Sequence, residues 1–202
     1  MSRLLLFILL TMFIDNLHAQ KLKDLGCAEK VWVLTHPFSA NKARKTSIET
    51  KQLVDSVAQT KDWLAMGTGG QKDAFRHGMW MALLSSRIGH KRAIWLGKAH
   101  EKKNKRDFRK ERLEDGALPD QVAIEMDLIN NKVGAEIGRN CKKCSRENII
   151  NQVLDALDAG QLSIIKMNKK GQFLNEENQI IPEENWQGKW ENDRVLAPSN
   201  SI

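Results

Sequence analysis

The chain has 202 residues and a formal net charge of +7. That length suits one domain with a substantial core. Beyond the first twenty residues no stretch is apolar enough to cross a membrane, which excludes a multi-spanning membrane protein, and the positive balance favours anionic partners.

The amino end sets the expected compartment. Arg3 precedes an apolar run from Leu4 to Phe13, and Leu17-His18-Ala19-Gln20 supplies the small-residue end of a secretory signal peptide. The run is too short for a membrane anchor, and Asp15 interrupts it. The expectation is a signal peptide over 1–19 and a single helical domain over 20–202, exported to the periplasm or the medium.

Next comes a short apolar cluster, Val31 to Leu34, ahead of His36-Pro37. Pro37 holds His36 extended, so no helix should cross it. Ser39 is placed to cap a helix reaching about residue 59, with Ala43, Ser47, Val54 and Val57 facing inward. Gly67-Thr68-Gly69-Gly70 reads as a turn, since it lacks the Gly-Lys-Ser/Thr ending of a phosphate loop. Apolar periodicity then predicts helices over 73–88, 91–103 and 121–139, the first two separated by Gly89-His90. Gly97 would let another backbone approach one turn before His100. Ser145 caps a further helix that carries Ile149, Val153 and Leu157 and stops at Gly160. Residues 162–174 are β-like around a turn at 168–171, and the polar tail should wrap the surface. The fold class is therefore mainly α: a compact bundle of about four to five helices with a small C-terminal β-hairpin. Its motif core spans about 35–165 and its polar tail about 168–202.

Three cysteines follow the expected leader: Cys27, Cys141 and Cys144. In an oxidising compartment they predict one disulfide, either Cys141–Cys144 or Cys27 with one of that pair. The Cys-x-x-Cys spacing lacks a surrounding βαβ pattern and a fourth metal ligand, so a structural staple is the reading. Positive charge is concentrated from Lys91 to Arg112, where ten basic residues stand against Glu101, Asp107 and Glu111. Such a segment attracts phosphate-bearing surfaces such as nucleic acid, anionic lipid or lipopolysaccharide, or else is a solvated helix end and loop.

Three polar islands interrupt otherwise apolar helices: Asp73-Ala74-Phe75-Arg76-His77, Ala99-His100-Glu101, and Met126-Asp127-Leu128-Ile129-Asn130-Asn131. Polar groups on buried helix faces require partners, and three islands on successive helices point to one shared site. At 100° per residue, Asp73, His77, Trp80, Leu84 and Ile88 share a stripe, as do Ala93, Leu96, Gly97, His100 and Asn104. On the third helix, Val122, Met126, Ile129, Val133 and Ile137 form the apolar stripe, with Asp127, Asn130, Asn131 and Gly134 alongside.

These motifs, Asp-Ala-Phe-Arg-His-(x)2-Trp, Ala-His-Glu and Met-Asp-Leu-(x)-Asn-Asn-(x)-Val-Gly, resemble a bacterial family of unknown function. Its members occur as secreted proteins and as C-terminal modules of polymorphic toxins. The resemblance implies a helical domain with Asp73, Arg76, His77, His100, Glu101, Asp127, Asn130 and Asn131 at the motif positions, and supplies no reaction. The leader sets this chain apart from the toxin setting and suits a stand-alone envelope or secreted role.

Two mechanisms fit the residue types. In one, His77, His100 and Asp127 bind a divalent ion, zinc by the imidazoles, with Asp73 orienting His77 and Glu101 acting as general base. In the other, His77 and His100 are acid and base, while Arg76 and the Asn130 and Asn131 amides hold an anionic transition state. Both suit phosphoester hydrolysis of an anionic substrate. No Gly-x-Ser-x-Gly, His-Glu-x-x-His or Walker motif is present, which removes serine hydrolase, zincin and nucleotidase readings. The rival class is a non-catalytic envelope-binding protein whose polar islands form an internal network.

Overall fold

None of the residues from 71 to 88 is fully exposed, which suits a helix at the centre of the bundle. A computed structural model, which describes residues 25–61, 63, 67–114 and 116–201, places it there. The predicted signal peptide, 1–19, lies outside the described residues. Chain order is α1 (Cys27–Thr35), α2 (Pro37–Ala58), α3 (Gln71–Ile88), α4 (His90–Phe108), α5 (Gln121–Asn140), α6 (Arg146–Asp158), β1 (Ser163–Ile165), α7 (Glu183–Trp186) and β2 (Leu196–Pro198). The protein is thus mainly helical with a small antiparallel sheet near its C-terminus. No helix among the described residues is long and apolar enough to cross a membrane.

Helix α3 packs on α2, α4, α5 and α6. Its closest partner is α5, for a specific reason. A Cβ at Gly134 would stand 2.0 Å from the Gly78 carbonyl oxygen, and one at Gly138 would stand 2.0 Å from that of Ala82. Glycines one turn apart on α5 therefore let the two backbones touch. This turns α5 away from its apolar stripe: Asp127, Asn130, Asn131, Gly134, Ala135 and Gly138 are buried, whereas Ile129 is 36% exposed. Gly97, expected to admit a backbone, instead faces the Met81 thioether and the Asn131 amide. One apolar cluster joins α2, α3 and α6 around Phe75, Met79, Leu83, Val153 and Leu157. Another joins α1, α3 and α4 around Trp32, Met81, Leu84 and Leu96.

Several boundaries differ from the sequence expectation. The cluster at 31–34 lies within α1, whose first turn is closed by the Glu29 carboxylate accepting from the Gly26 N–H at 2.7 Å. Helix α2 begins at Pro37, which suits a first helical position, so Ser39 lies inside the helix rather than capping it. Helix α4 continues to Phe108, helped by a Lys103–Asp107 ion pair at 2.7 Å. Ser145 does cap α6, accepting from the Asn148 N–H at 3.2 Å. Strand β1 pairs with β2 in the tail (Ile164 opposite Ala197), while the turn at 168–171 closes only a single Met167–Phe173 bridge. The tail is fastened by Arg194, which is buried against Asp120 and packs on the Phe173 and Trp186 rings at 4.6 and 4.8 Å. Cys141 and Cys144 form the disulfide, and Cys27 is a free, exposed thiol.

Candidate functional site

The turn before α3 positions the first island. Gly69 has φ +86°, a conformation suited to glycine, and its N–H donates to Asp73 Oδ2 at 2.8 Å. Arg76, one turn on, donates to Asp73 Oδ1 through Nε at 3.1 Å and Nη2 at 2.5 Å. His77 then faces α5. Its Nε2 lies 3.2 Å from Asp127 Oδ1 and 3.8 Å from Asp73 Oδ1. Its Nδ1 lies 3.3 Å from Asn131 Oδ1.

A chain of amides fixes the tautomer. Asn131 Nδ2 donates to Glu101 Oε1 at 3.3 Å, and Asn104 Nδ2 donates to Glu101 Oε2 at 3.0 Å. With its amide nitrogen committed to Glu101, Asn131 presents oxygen to His77, so Nδ1 carries the proton and the Nε2 lone pair faces the two aspartates. That lone pair and Asp127 Oδ1 are both buried and make no hydrogen bond. Two atoms from different helices thus face each other at 3.2 Å with no other hydrogen-bond partner.

The electrostatics follow from burial and neighbours. Burial, followed by the nearby Arg76 guanidinium, pushes the His77 imidazole down to about 3, so it is neutral. Burial also works against ionising Asp73, but Arg76, His77 and the Gly69 N–H together hold its carboxyl below the usual range. Asp127 goes the other way: burial, then the Asp73 and Glu101 carboxylates, raises it well above the carboxylate range. Burial, partly offset by His100 and reinforced by Glu114, lifts Glu101 to about 7.

His100 stands apart from this cluster. Its Nδ1 contacts Glu29 Oε1 at 3.0 Å and its Nε2 contacts Glu114 Oε1 at 2.9 Å. Burial disfavours its charge, yet the Glu114 and Glu29 carboxylates outweigh that and raise it to about 10. An imidazolium with both nitrogens engaged has no lone pair for a metal. The structure thus brings Asp73, rather than His100, into the group with His77 and Asp127. Those three residues place one ligand atom each within 4.8 Å of one another. Asn130 is also placed elsewhere: its amide accepts from the Ser163 N–H at 2.7 Å and donates to the Ser163 carbonyl at 2.9 Å, tying β1 to α5.

Asp73, Arg76, His77 and His100 line the wall of a cleft of about 1140 Å³, whose other wall is largely apolar and comes from α1 and α2. Trp80 stands between the histidines, its ring 5.4 Å from that of His100, and donates from Nε1 to Ser47 Oγ at 2.9 Å. Glu29 and Glu114, which set the charge of His100, were not singled out in the sequence. Glu29 sits in the first turn of a short helix, and Glu114 in a polar connection without periodicity.

Comparison with known protein families found a match over residues 30–161, well over half of the chain and including all three polar islands. The chain belongs to the family described as a domain of unknown function, DUF6973. Within the span matched to DUF6973 lie α2 to α6 and every residue of the Asp73–His77–Asp127 group. Glu29 precedes it by one residue, and the tail latch at Arg194 lies beyond it. Searches of the curated proteins and of the solved structures returned no match.

Proposed function

We propose that this DUF6973 protein is an exported, metal-assisted hydrolase of phosphoesters, with a divalent cation held by Asp73, His77 and Asp127. One observation carries the reading: the buried His77 Nε2 and Asp127 Oδ1 face each other at 3.2 Å with no other hydrogen-bond partner, and Asp73 Oδ1 lies 3.8 Å from the same nitrogen. Ligands bonded at about 2.0–2.2 Å to one ion stand roughly 3.0–3.5 Å apart, close to the 3.2 and 3.8 Å found around His77 Nε2. The donor set of one imidazole and two carboxylates admits zinc through nitrogen and manganese through oxygen.

A cation there supplies Lewis acidity and a more acidic water. The chain's own groups do the rest. Asn131, oriented by Glu101, keeps the His77 lone pair aimed at the two aspartates. Arg76 and the imidazolium of His100 place positive charge along the cleft wall, where an anionic transition state gains most. His100, with both nitrogens held by Glu29 and Glu114, acts through its charge. Glu101, buried beneath the cleft, serves as support for Asn131 rather than as the base. A stand-alone exported role, as the leader suggests, belongs to the same proposal.

The test is elemental analysis of the purified chain after equilibration with zinc or manganese, together with hydrolysis of bis(p-nitrophenyl) phosphate. One equivalent of metal and turnover are expected, and Asp127→Asn should lose both. Absence of stoichiometric metal would overturn the reading and leave the polar islands as an internal network.

A further inference from the structure

The wall facing Asp73 and His77 is unusual for a site built on charge. Ala40, Ile48, Val54, Val33 and Leu34 contribute to it among polar residues of α2 such as Ser47 and Thr50, and the cleft surface is mostly apolar. A small hydrophilic phosphoester would leave that wall wetted. An alkyl chain would cover it, each buried methylene adding to the binding.

The rim of the cleft continues the pattern outward. Leu34 is 77% exposed, Val31 is 51% exposed, and Phe38 is fully exposed. These occupy the corner where α1 turns into α2. Trp95 of α4, also exposed, adjoins the same corner through an edge contact with His36, its ring 4.8 Å away. Isolated exposed apolar residues are ordinary, but several at one corner beside an apolar cleft mark a surface that meets another apolar phase. Exposed cations follow on the helices that meet there: Lys42, Arg44 and Lys45 on α2, and Lys91, Arg92 and Lys98 on α4. Arg44 and Lys51 reach the cleft mouth itself. Apolar tips together with exposed lysine and arginine are the chemistry of an anionic lipid surface.

We propose that the α1–α2 corner docks on an anionic membrane surface and that the substrate of this site is an anionic phospholipid. Its chain lies along the apolar wall and its phosphodiester lies against the Asp73–Arg76–His77 wall. This rests on the hydrolase reading above and names its substrate class. In the step, a water oxygen bonds to phosphorus and the bond from phosphorus to one ester oxygen breaks. One of the water's protons ends on that oxygen and the other stays with the phosphate, so the products are a phosphomonoester and an alcohol.

The experiment has a binding arm and a reaction arm, both on the full chain. In the first, co-sedimentation is measured with vesicles of phosphatidylglycerol and phosphatidylethanolamine and with vesicles of phosphatidylcholine. Binding is expected to the former only, to weaken with salt, and to fall tenfold or more in Phe38→Asp and Leu34→Asp. Both substitutions are at exposed positions and should leave the melting temperature within about 2 °C of the parent. In the second, phosphatidylglycerol and bis(p-nitrophenyl) phosphate are compared as substrates of the parent protein, with the lipid expected to be turned over faster. Hydrolysis of the small diester without vesicle binding would overturn this inference and leave the hydrolase reading intact. Vesicle binding that survives both substitutions, or that disappears when residues 1–19 are removed, would assign the membrane contact to the leader and overturn the docking surface. Binding without hydrolysis of either substrate would overturn the substrate assignment together with the hydrolase reading.

Discussion

Gly134→Ala tests the contact that positions the site. The new methyl carbon would lie 2.0 Å from the Gly78 carbonyl oxygen, 2.7 Å from its carbon and 2.8 Å from its Cα. An unstrained carbon–oxygen contact is about 3.3 Å, so α3 and α5 must part by roughly 1 Å. The atoms in the way are backbone, and neither helix can answer with a rotamer change. Overpacking costs about 1–3 kcal/mol, and this case belongs near 3. Replacing a helical glycine by alanine returns about 1 kcal/mol, which leaves a net loss of about 2. For a domain of this size that corresponds to a fall of about 4–8 °C in melting temperature, read by calorimetry or far-UV circular dichroism. The same separation lengthens the His77–Asp127 and His77–Asn131 contacts, both of which bridge α3 and α5. Gly97→Ala is the control: its methyl group would meet the flexible end of Met81 at 3.3 Å, so its melting temperature should change little. A Gly134→Ala protein melting at or above the parent would refute the backbone contact.

Three further outcomes are expected. His100 is raised from 6.5 to about 10, so its contribution to stability is complete below about pH 6.5 and disappears as pH rises to about 10. His100→Gln should therefore lower stability by a few kcal/mol at pH 6, with the two proteins converging near pH 10; a gap that stays constant with pH would show that the imidazolium is not held by Glu29 and Glu114. Asp120→Ala removes both the α5 cap, which accepts from the Ala123 N–H at 2.9 Å, and the counter-charge of buried Arg194. Urea unfolding should register a loss of about 3–5 kcal/mol, against about 1 for the cap-only variant Ser145→Ala. Alkylation without reduction should label Cys27 alone, and reducing the Cys141–Cys144 bridge should cost about 2 kcal/mol, since it closes a short loop.

The helices from α2 to α6 were legible because apolar spacing and punctuation agreed there. Gly89 breaks α3 from α4, Ser145 opens α6 and Gly160 follows its end. The orientation of α5 was not legible. Its apolar stripe argued for one buried face, but Gly134 and Gly138 could be recognised as a contact surface only once α3 was known to run against them. Pairing of β1 with β2 was hidden for a similar reason, because Ile164 and Ala197 are joined across the fold rather than by a local turn. The polar islands pointed to Asp73, His77, Asp127 and Asn131 by residue type and stripe. What residue type could not supply was the identity of each group's partner.

The two histidines show why partners decide chemistry. His77 and His100 both fall on inward stripes, and a stripe alone makes them equivalent. In the fold, Glu29 lies 71 residues from His100 in sequence yet holds its Nδ1, while Glu114 holds its Nε2, so this imidazole is charged. His77 meets an amide oxygen on one nitrogen and two aspartates near the other, under enough burial to be neutral. An unpaired buried polar atom costs about 1–3 kcal/mol; Ser85 Oγ, Asn104 Oδ1, His77 Nε2 and Asp127 Oδ1 are in that state, and the last two meet at 3.2 Å. Here the hydrogen bonds running from Asn104 Nδ2 through Glu101 to Asn131 end on His77 Nδ1 and leave Nε2 facing Asp127. Its bonds thus hold one lone pair between two carboxylates at the wall of a cleft, an arrangement that serves a ligand better than it serves the core.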